Sequence, residues 1–292
     1  MHLDPAHLAA LSAVLRTGAF DLAAAELHVT PSAISQRIKA LEERMGITLI
    51  QRGSPCTATP AGQRLAKHAE DLGVLEAQLM RDLSLDTGGQ ARLRLAINAD
   101  SLATWFVPAL AAVPDLVFEL VIDDQDHSAD WLKRGEVSAA ITATGKPVRG
   151  CDRHALGALR YVATASPSFR DRWFEDGPTA AALARAPCLT FNAKDRLQAR
   201  WVELATGTRP NPPRHMLPSS TAFVEAAEAG LGWGMNPEPL VRAALAQGRL
   251  VALRPDLALD VPLDWQISRA MAAAIAPVTV AVRQAARAQL LH

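Results

Sequence analysis

Ser32, Ser35, Gln36, Arg37 and Lys39 lie between Glu26 and Glu42, a stretch with no acidic residue inside it. Hydroxyls donate to phosphates or base edges, a glutamine amide pairs bidentately with adenine, and an arginine pairs with guanine or clamps a phosphate. A second acid-free stretch, between Glu43 and Glu70, carries Arg44, Arg52, Arg64 and Lys67. Recognition of a polyanion is the chemistry these two windows suit. The 30 basic and 30 acidic residues of the 292-residue chain cancel overall, which argues against a protein that coats nucleic acid through a general basic surface.

A different chemistry gathers further on. Asp100 follows one strand-like segment and Asp123-Asp124 follow the next, and the C-terminal ends of parallel strands are where α/β sheets bind ligands. Carboxylates there suit an ammonium or guanidinium. Ser101, at a strand-to-helix junction, and Ser219, Ser220 and Thr221 suit a ligand carboxylate. Trp105 and Phe191 are candidates to line such a cleft, although Trp105 fits a helix core equally well. Asp123, Asp124 and Asp126 also read as a solvated acidic loop. A metal site with His127 is not expected, because the other histidines are scattered and no four-ligand set forms. Cys56, Cys151 and Cys188 are far apart and outside any CxxC spacing, so reduced cysteines are expected, without disulfide or thiolate zinc. No GxSxG elbow, Walker loop, HExxH helix or strand-linked GxGxxG is present, so neither an enzyme nor a cofactor is expected.

The elements that must hold these residues follow from periodicity. Leu8, Leu11, Val14 and Leu15 recur at helical spacing up to Gly18, and Leu22 to Leu27 form a short second helix. Thr30 is an N-cap with Pro31 at the first helical position, opening a third helix to about Met45. Ile34, Ile38 and Leu41 form its apolar stripe, and the small Ser32 and Ala33 near its start allow close approach to a partner. Two short helices joined by a tight turn match a helix-turn-helix, whose second helix enters the major groove. Ile47 to Arg52, the Gly53-Ser54-Pro55 turn and Thr57 to Thr59 predict a small hairpin, or wing. A long helix follows from Pro60, with Leu65, Leu72 and Leu79 spaced by seven and Ala69, Leu75 and Leu83 on the same side, ending before Gly88-Gly89. That stripe calls for a partner helix.

From Ala91 strand patterns alternate with helical ones, predicting an α/β domain with parallel strands. Strands are expected at 92–97, 117–122, 139–142, 161–165, 188–191, 232–235 and 265–268, with a closing helix over about 277–291. No apolar run reaches the length of a membrane span, and the first 20 residues lack a signal-peptide pattern, so no membrane partner and a cytoplasmic location are expected.

Ala23-Ala24-Ala25-Glu26-Leu27, Thr30-Pro31-Ser32-Ala33-Ile34-Ser35, Ile38, Leu41-Glu42 and Gly46 together resemble the signature of LysR-type transcriptional regulators. The likeness extends through the wing with Arg52 and the Thr59-Pro60-Ala61-Gly62 start of the linker helix. It implies a winged helix-turn-helix over 1–60, a dimerising linker helix over 61–88 and an effector-binding domain over 89–292. That domain would comprise two Rossmann-like α/β subdomains, 89–164 with 269–292 and 165–268, the chain crossing near Ala165 and Ser268. The resemblance also implies promoter DNA as partner, a homodimer or homotetramer, and contact with RNA polymerase. Pro31 stands where relatives often carry glutamine, which leaves direct base readout there in doubt.

Asn98 to Trp105, Pro108-Ala109-Leu110, Arg134 to Val137 and Ser219 to Phe223 resemble the arginine- and lysine-export regulators of this family, implying a basic amino acid as effector. The alternatives are another small-molecule effector or, since fold does not settle function, a two-lobed solute-binding protein or enzyme.

Overall fold

The computed structural model describes residues 3–83, 91–123, 128–143 and 145–292. Asp124 and the 84–90 segment fall outside them, and so do the expected end of the linker helix and part of the acidic loop.

Helix α1 (Pro5–Thr17) starts where the Asp4 carboxylate accepts the Ala6 amide at 2.8 Å, and ends at Gly18, whose φ of 73° a side chain would disfavour. Helix α2 (Phe20–Glu26) leads through a tight turn to α3 (Pro31–Met45), capped by Thr30 accepting the Ala33 amide at 3.2 Å. Ile34, Ile38 and Leu41 are at most 1% exposed and pack with Leu8, Leu11 and Val14 into one small core. Each such side chain contributes about 1.5–3 kcal/mol by leaving water, so the polar face of α3 is fixed by what its apolar face must do.

The wing is shorter than its sequence predicts: β1 (Ile50–Gln51) pairs antiparallel with β2 (Thr57–Ala58). It is held from both sides. Glu42 of α3 accepts the Leu49 amide at 2.7 Å and the Ile50 amide at 3.3 Å, while the Thr59 hydroxyl donates to the Thr48 carbonyl at 2.9 Å. Thr59 also caps α4 (Pro60–Asp82) by accepting the Gly62 amide at 3.1 Å. Gly62 lies so close to the wing that a Cβ there would stand 2.0 Å from the Leu49 carbonyl oxygen. The leucine stripe divides along α4. Leu65, Ala69 and Leu72 pack on the helix-turn-helix core of their own chain, whereas Leu75, Leu79 and Leu83 are 41%, 55% and 58% exposed.

The rest of the chain contains β3 (Ala91–Ile97), α5 (Ala99–Ser101), a π turn (Leu102–Phe106), α6 (Val107–Ala111), β4 (Leu116–Ile122), α7 (Ser128–Arg134) and β5 (Ala139–Thr142). Then come β6 (Cys151–Ala165), α8 (Pro167–Trp173), α9 (Ala180–Arg185), β7 (Cys188–Thr190), α10 (Leu197–Thr206), β8 (Arg214–Met216) and α11 (Ser220–Glu228). The chain closes with β9 (Gly234–Pro237), α12 (Glu238–Ala246), β10 (Val251–Ala252), β11 (Ala258–Ser268) and α13 (Ala276–Gln289).

The main sheet is mixed rather than wholly parallel. Strands β4, β3 and β5 run parallel, β11 is antiparallel to β5 and β6, and β9 and β10 are antiparallel to β6. Strands β7 and β8 form a separate parallel pair. The expected strands at 161–165 and 265–268 are the ends of the long β6 and β11, which pair with each other over 151–162 and 258–268. Strand β5 flanks only residues 264–267 of β11, while β9 and β10 flank only 161–165 of β6. A register shift at Leu263/Asp264 marks where the part of β11 flanked by β5 begins. Helix α13 packs back on α6 and the π turn.

Helix α4 also touches the effector half through β3. The Lys67 ammonium, 4% exposed, bonds to Asp71 and donates to the Ser138 hydroxyl at 2.9 Å, and Ser138 donates to Asp71 at 3.1 Å. Among the described residues no helix is long and apolar enough to cross a membrane.

Candidate functional site

The first half of α3 presents Ser32, Ser35, Gln36 and Lys39 to solvent on the side away from Ile34 and Ile38. Thr30 is exposed too, but its hydroxyl is engaged in the cap. Ala33 and Arg37 are half-buried. Arg37 lies near the start of α1: the Asp4 carboxyl is held below its ordinary value first by the Ala6 amide, with smaller contributions from His7 and Arg37. The exposed Lys39 ammonium stands 3.6 Å from Glu43, a pair worth little in water. In the wing, the exposed Arg52 guanidinium rests over the Phe20 ring at 5.7 Å.

The second candidate is a cleft between the two lobes, of about 510 Å³ with its open mouth. Asn98, Asp100 and Asp123 reach it from the ends of β3 and β4. From the other lobe come Phe191, Asp195, Ser220, Phe223 and Asn236. Two contacts bridge the lobes across it. The Ser220 hydroxyl donates to Asp100 Oδ1 at 2.6 Å, and the exposed Lys194 ammonium stands 3.8 Å from Asp123. Asp100 also accepts the Tyr161 hydroxyl at 2.7 Å, and Asp123 accepts the Trp131 indole N–H at 2.9 Å. Asp195 accepts the amides of Phe191 at 2.9 Å and Leu197 at 3.0 Å. The carboxylates are thus aimed by neighbours while standing round one apolar-walled space. Asn236 is fully buried; its amide donates to Thr164 at 2.9 Å and its Oδ1 has no partner among the described residues.

Of the residues singled out by sequence, Asn98, Asp100, Asp123, Phe191 and Ser220 line this cleft. Four others are placed elsewhere. Trp105, 1% exposed and edge-on to Phe106 at 5.4 Å, belongs to the core because its π turn packs on the sheet. Ser101 is fully buried, in the first turn of α5. Ser219 is spent capping α11 at 3.4 Å, and the exposed Thr221 bonds to Ser219. Asp195, Tyr161 and Asn236 were not anticipated. Asp195 follows β7 closely enough for the strand-end rule to have found it, whereas nothing local marks Tyr161 or Asn236. Among the described residues no group of three or more His, Cys, Asp and Glu is arranged to hold a metal ion.

A winged helix-turn-helix joined by one long helix to a two-lobed domain with an interlobe cleft is the build of a transcription regulator that carries its own sensor. The pattern described as "Bacterial regulatory helix-turn-helix protein, lysR family" matches residues 5–63, and that of the LysR substrate binding domain matches residues 86–290. The chain belongs to the LysR family of transcription regulators.

Among its relatives, the HTH-type transcriptional regulator LysG of Mycobacterium tuberculosis is 45% identical over 289 residues, covering 97% of this chain and 94% of that one. The regulator ArgP of Pseudomonas aeruginosa is 42% identical over 267 residues, covering 90% and 89%. The crystal structure of ArgP from Mycobacterium tuberculosis superposes with a TM-score of 0.81 at 43% identity over 99% of both chains. Full-length LysG from Corynebacterium glutamicum with bound effector Arg gives 0.68 at 36% identity over 99% and 100%.

Proposed function

We propose that this regulator senses a basic amino acid, arginine or lysine, in the interlobe cleft and adjusts promoter binding by α3 accordingly. The observation that carries the reading is the convergence of Asp100, Asp123 and Asp195 from both lobes on one space that also has apolar walls. A long aliphatic stem ending in a cation suits that combination, because a carboxylate held by neighbours interacts strongly with an ammonium or guanidinium shielded from water. Lys194, reaching Asp123 across the cleft, already places a cation there. Asn98, Ser220 and Asn236 are the polar groups for the ligand's own amino and carboxylate ends. The Arg-bound structural relative supports the same class of ligand.

On the DNA side, Ser32, Ser35, Gln36 and Lys39 contact the major groove, with Thr30, Ala33 and Arg37 shaping the approach and Arg52 of the wing meeting the backbone. The exposed Leu75, Leu79 and Leu83 of α4 pair with a second copy, giving two recognition helices for half-sites roughly 34 Å apart. A homodimer or homotetramer in the cytoplasm, in contact with RNA polymerase at target genes, completes this reading. The domain division is winged helix to residue 60, linker helix to 88 and effector domain from 89, with the lobes joined inside β6 and β11.

The test is a mobility shift with promoter DNA from an amino-acid export or metabolism gene, titrated with arginine, lysine and the uncharged norleucine. Arginine or lysine is expected to change the affinity or the footprint while norleucine does not. An equal response to norleucine would remove the charge argument, and no DNA binding at all would remove the regulator reading of α3.

A further inference from the structure

The chain contains one tyrosine, Tyr161, and it is 1% exposed. Its strand is flanked on both sides at this point: Tyr161 stands opposite Pro237 of β9 and Leu259 of β11, and its ring lies in the main core. A close-packed ring on a paired strand holds its orientation, so the hydroxyl is carried to a fixed point. There it donates to Asp100 Oδ2 at 2.7 Å.

A buried tyrosine hydroxyl needs a partner, and a backbone carbonyl would serve that need as well. The partner here is instead a half-buried carboxylate that follows β3 and lines the interlobe cleft. Its other oxygen, Oδ1, accepts the Ser220 hydroxyl at 2.6 Å. One donor on each oxygen fixes both the position of the carboxylate and its rotation about χ2, a torsion that is otherwise broad for aspartate. The two donors are anchored differently. Ser220 lies in the first turn of α11, in the opposite lobe, so its reach to Asp100 depends on how the lobes are set. Tyr161 is built into the same sheet as β3.

We infer that Tyr161 is a positioning residue of the effector site: it sets the affinity for a basic amino acid by holding Asp100 in the orientation that receives the ligand's cation. The inference rests on the reading of the cleft as a basic-amino-acid site and adds to it a core residue that acts through Asp100 rather than on the ligand. A carboxylate left to turn would have to be ordered by the ligand, and that cost appears as lost affinity. A hydrogen bond to an ionised group is also stronger than one between neutral groups, which suits it to this task.

Calorimetric titration of arginine and lysine into the full-length wild type and Tyr161→Phe is the first measurement. The substitution keeps the ring and removes only the donor. Affinity should fall about tenfold, the size of one hydrogen bond to a charged group. The second measurement uses the native side chain. Because the chain has one tyrosine, protein grown on 3-fluorotyrosine gives a single fluorine NMR resonance from the ring that carries the hydroxyl. That protein should bind arginine as the wild type does, and its resonance should move in Asp100→Asn and at saturating arginine but not with norleucine at the same concentration. Should Tyr161→Phe fail to unfold cooperatively, the labelled protein decides alone. Wild-type affinity in a folded Tyr161→Phe, or a resonance unmoved at saturating arginine, would overturn this inference and leave the basic-amino-acid reading standing. No binding of arginine or lysine by the wild type would remove that reading and this inference with it.

Discussion

The proposed DNA-reading helix and the proposed effector cleft solve opposite problems. Helix α3 carries its functional side chains outward on one continuous element, and Ser32, Ser35 and Gln36 are exposed while the opposite face is locked into a core. The cleft turns its functional groups inward, draws them from separate segments and aims each carboxylate with a hydrogen bond of its own chain, such as Tyr161 and Ser220 on Asp100. A surface for a large rigid polyanion needs reach and exposure. The proposed site for a small cation needs fixed charge in a confined space, and Ser220 on Asp100 and Lys194 beside Asp123 tie its lobes across the opening.

If that contrast is right, the two regions fail separately. The largest effect on stability is expected at Gly62, where the linker helix meets the wing. In Gly62→Ala the new Cβ would stand 2.0 Å from the Leu49 carbonyl, so helix and wing must part. Overpacking of this kind costs about 1–3 kcal/mol, more than the helix propensity gained by losing a glycine. Denaturant unfolding should show the loss and promoter affinity should drop, while arginine affinity stays unchanged. A parallel fall in arginine affinity would show that the regions are one unit rather than two.

The seam between them gives the smaller effect. Burial, reinforced by Glu119, raises the Glu70 carboxyl above its ordinary value, with Lys67 and Arg94 opposing. A group whose folded pKa is raised stabilises the protein below its unfolded pKa and loses that contribution as pH rises through the folded one. Ionised Glu70 is therefore a liability at neutral pH. Glu70→Gln should raise the unfolding free energy slightly at pH 7, by about 0.5 kcal/mol or less, and the advantage should vanish near pH 4. An advantage that grows toward low pH would reverse the assignment.

The two regions also differ in how far the sequence reveals them. Helix α3 was legible because its cap, proline, apolar stripe and polar face are local, and Thr30 and Gly46 close it where the sequence says they should. The cleft was legible only in part. Asp100 and Asp123 obey the strand-end rule, but Asp100 meets Ser220 across 120 residues of chain and Tyr161 across 61, distances over which no periodicity speaks. The sequence predicts only 161–165 of β6; pairing with β11 extends the strand back to Cys151 through Asp152 and Gly157, residues with low strand preference. Trp105 was ambiguous between cleft and core, and the sheet beneath it decided for the core. The buried Lys67 could not be read as such, because its partner Ser138 lies 71 residues away.

The central claim is that three cleft carboxylates make this regulator a sensor of a basic amino acid. Calorimetric titration of arginine, lysine and norleucine into the wild type, Asp100→Asn and Asp123→Asn tests it most directly. The wild type should bind arginine or lysine and not norleucine, and removing either charge should cost roughly 2–5 kcal/mol if its contact is buried, with folding intact. Wild-type affinity in both variants, or binding of norleucine as tight as that of lysine, would contradict the account.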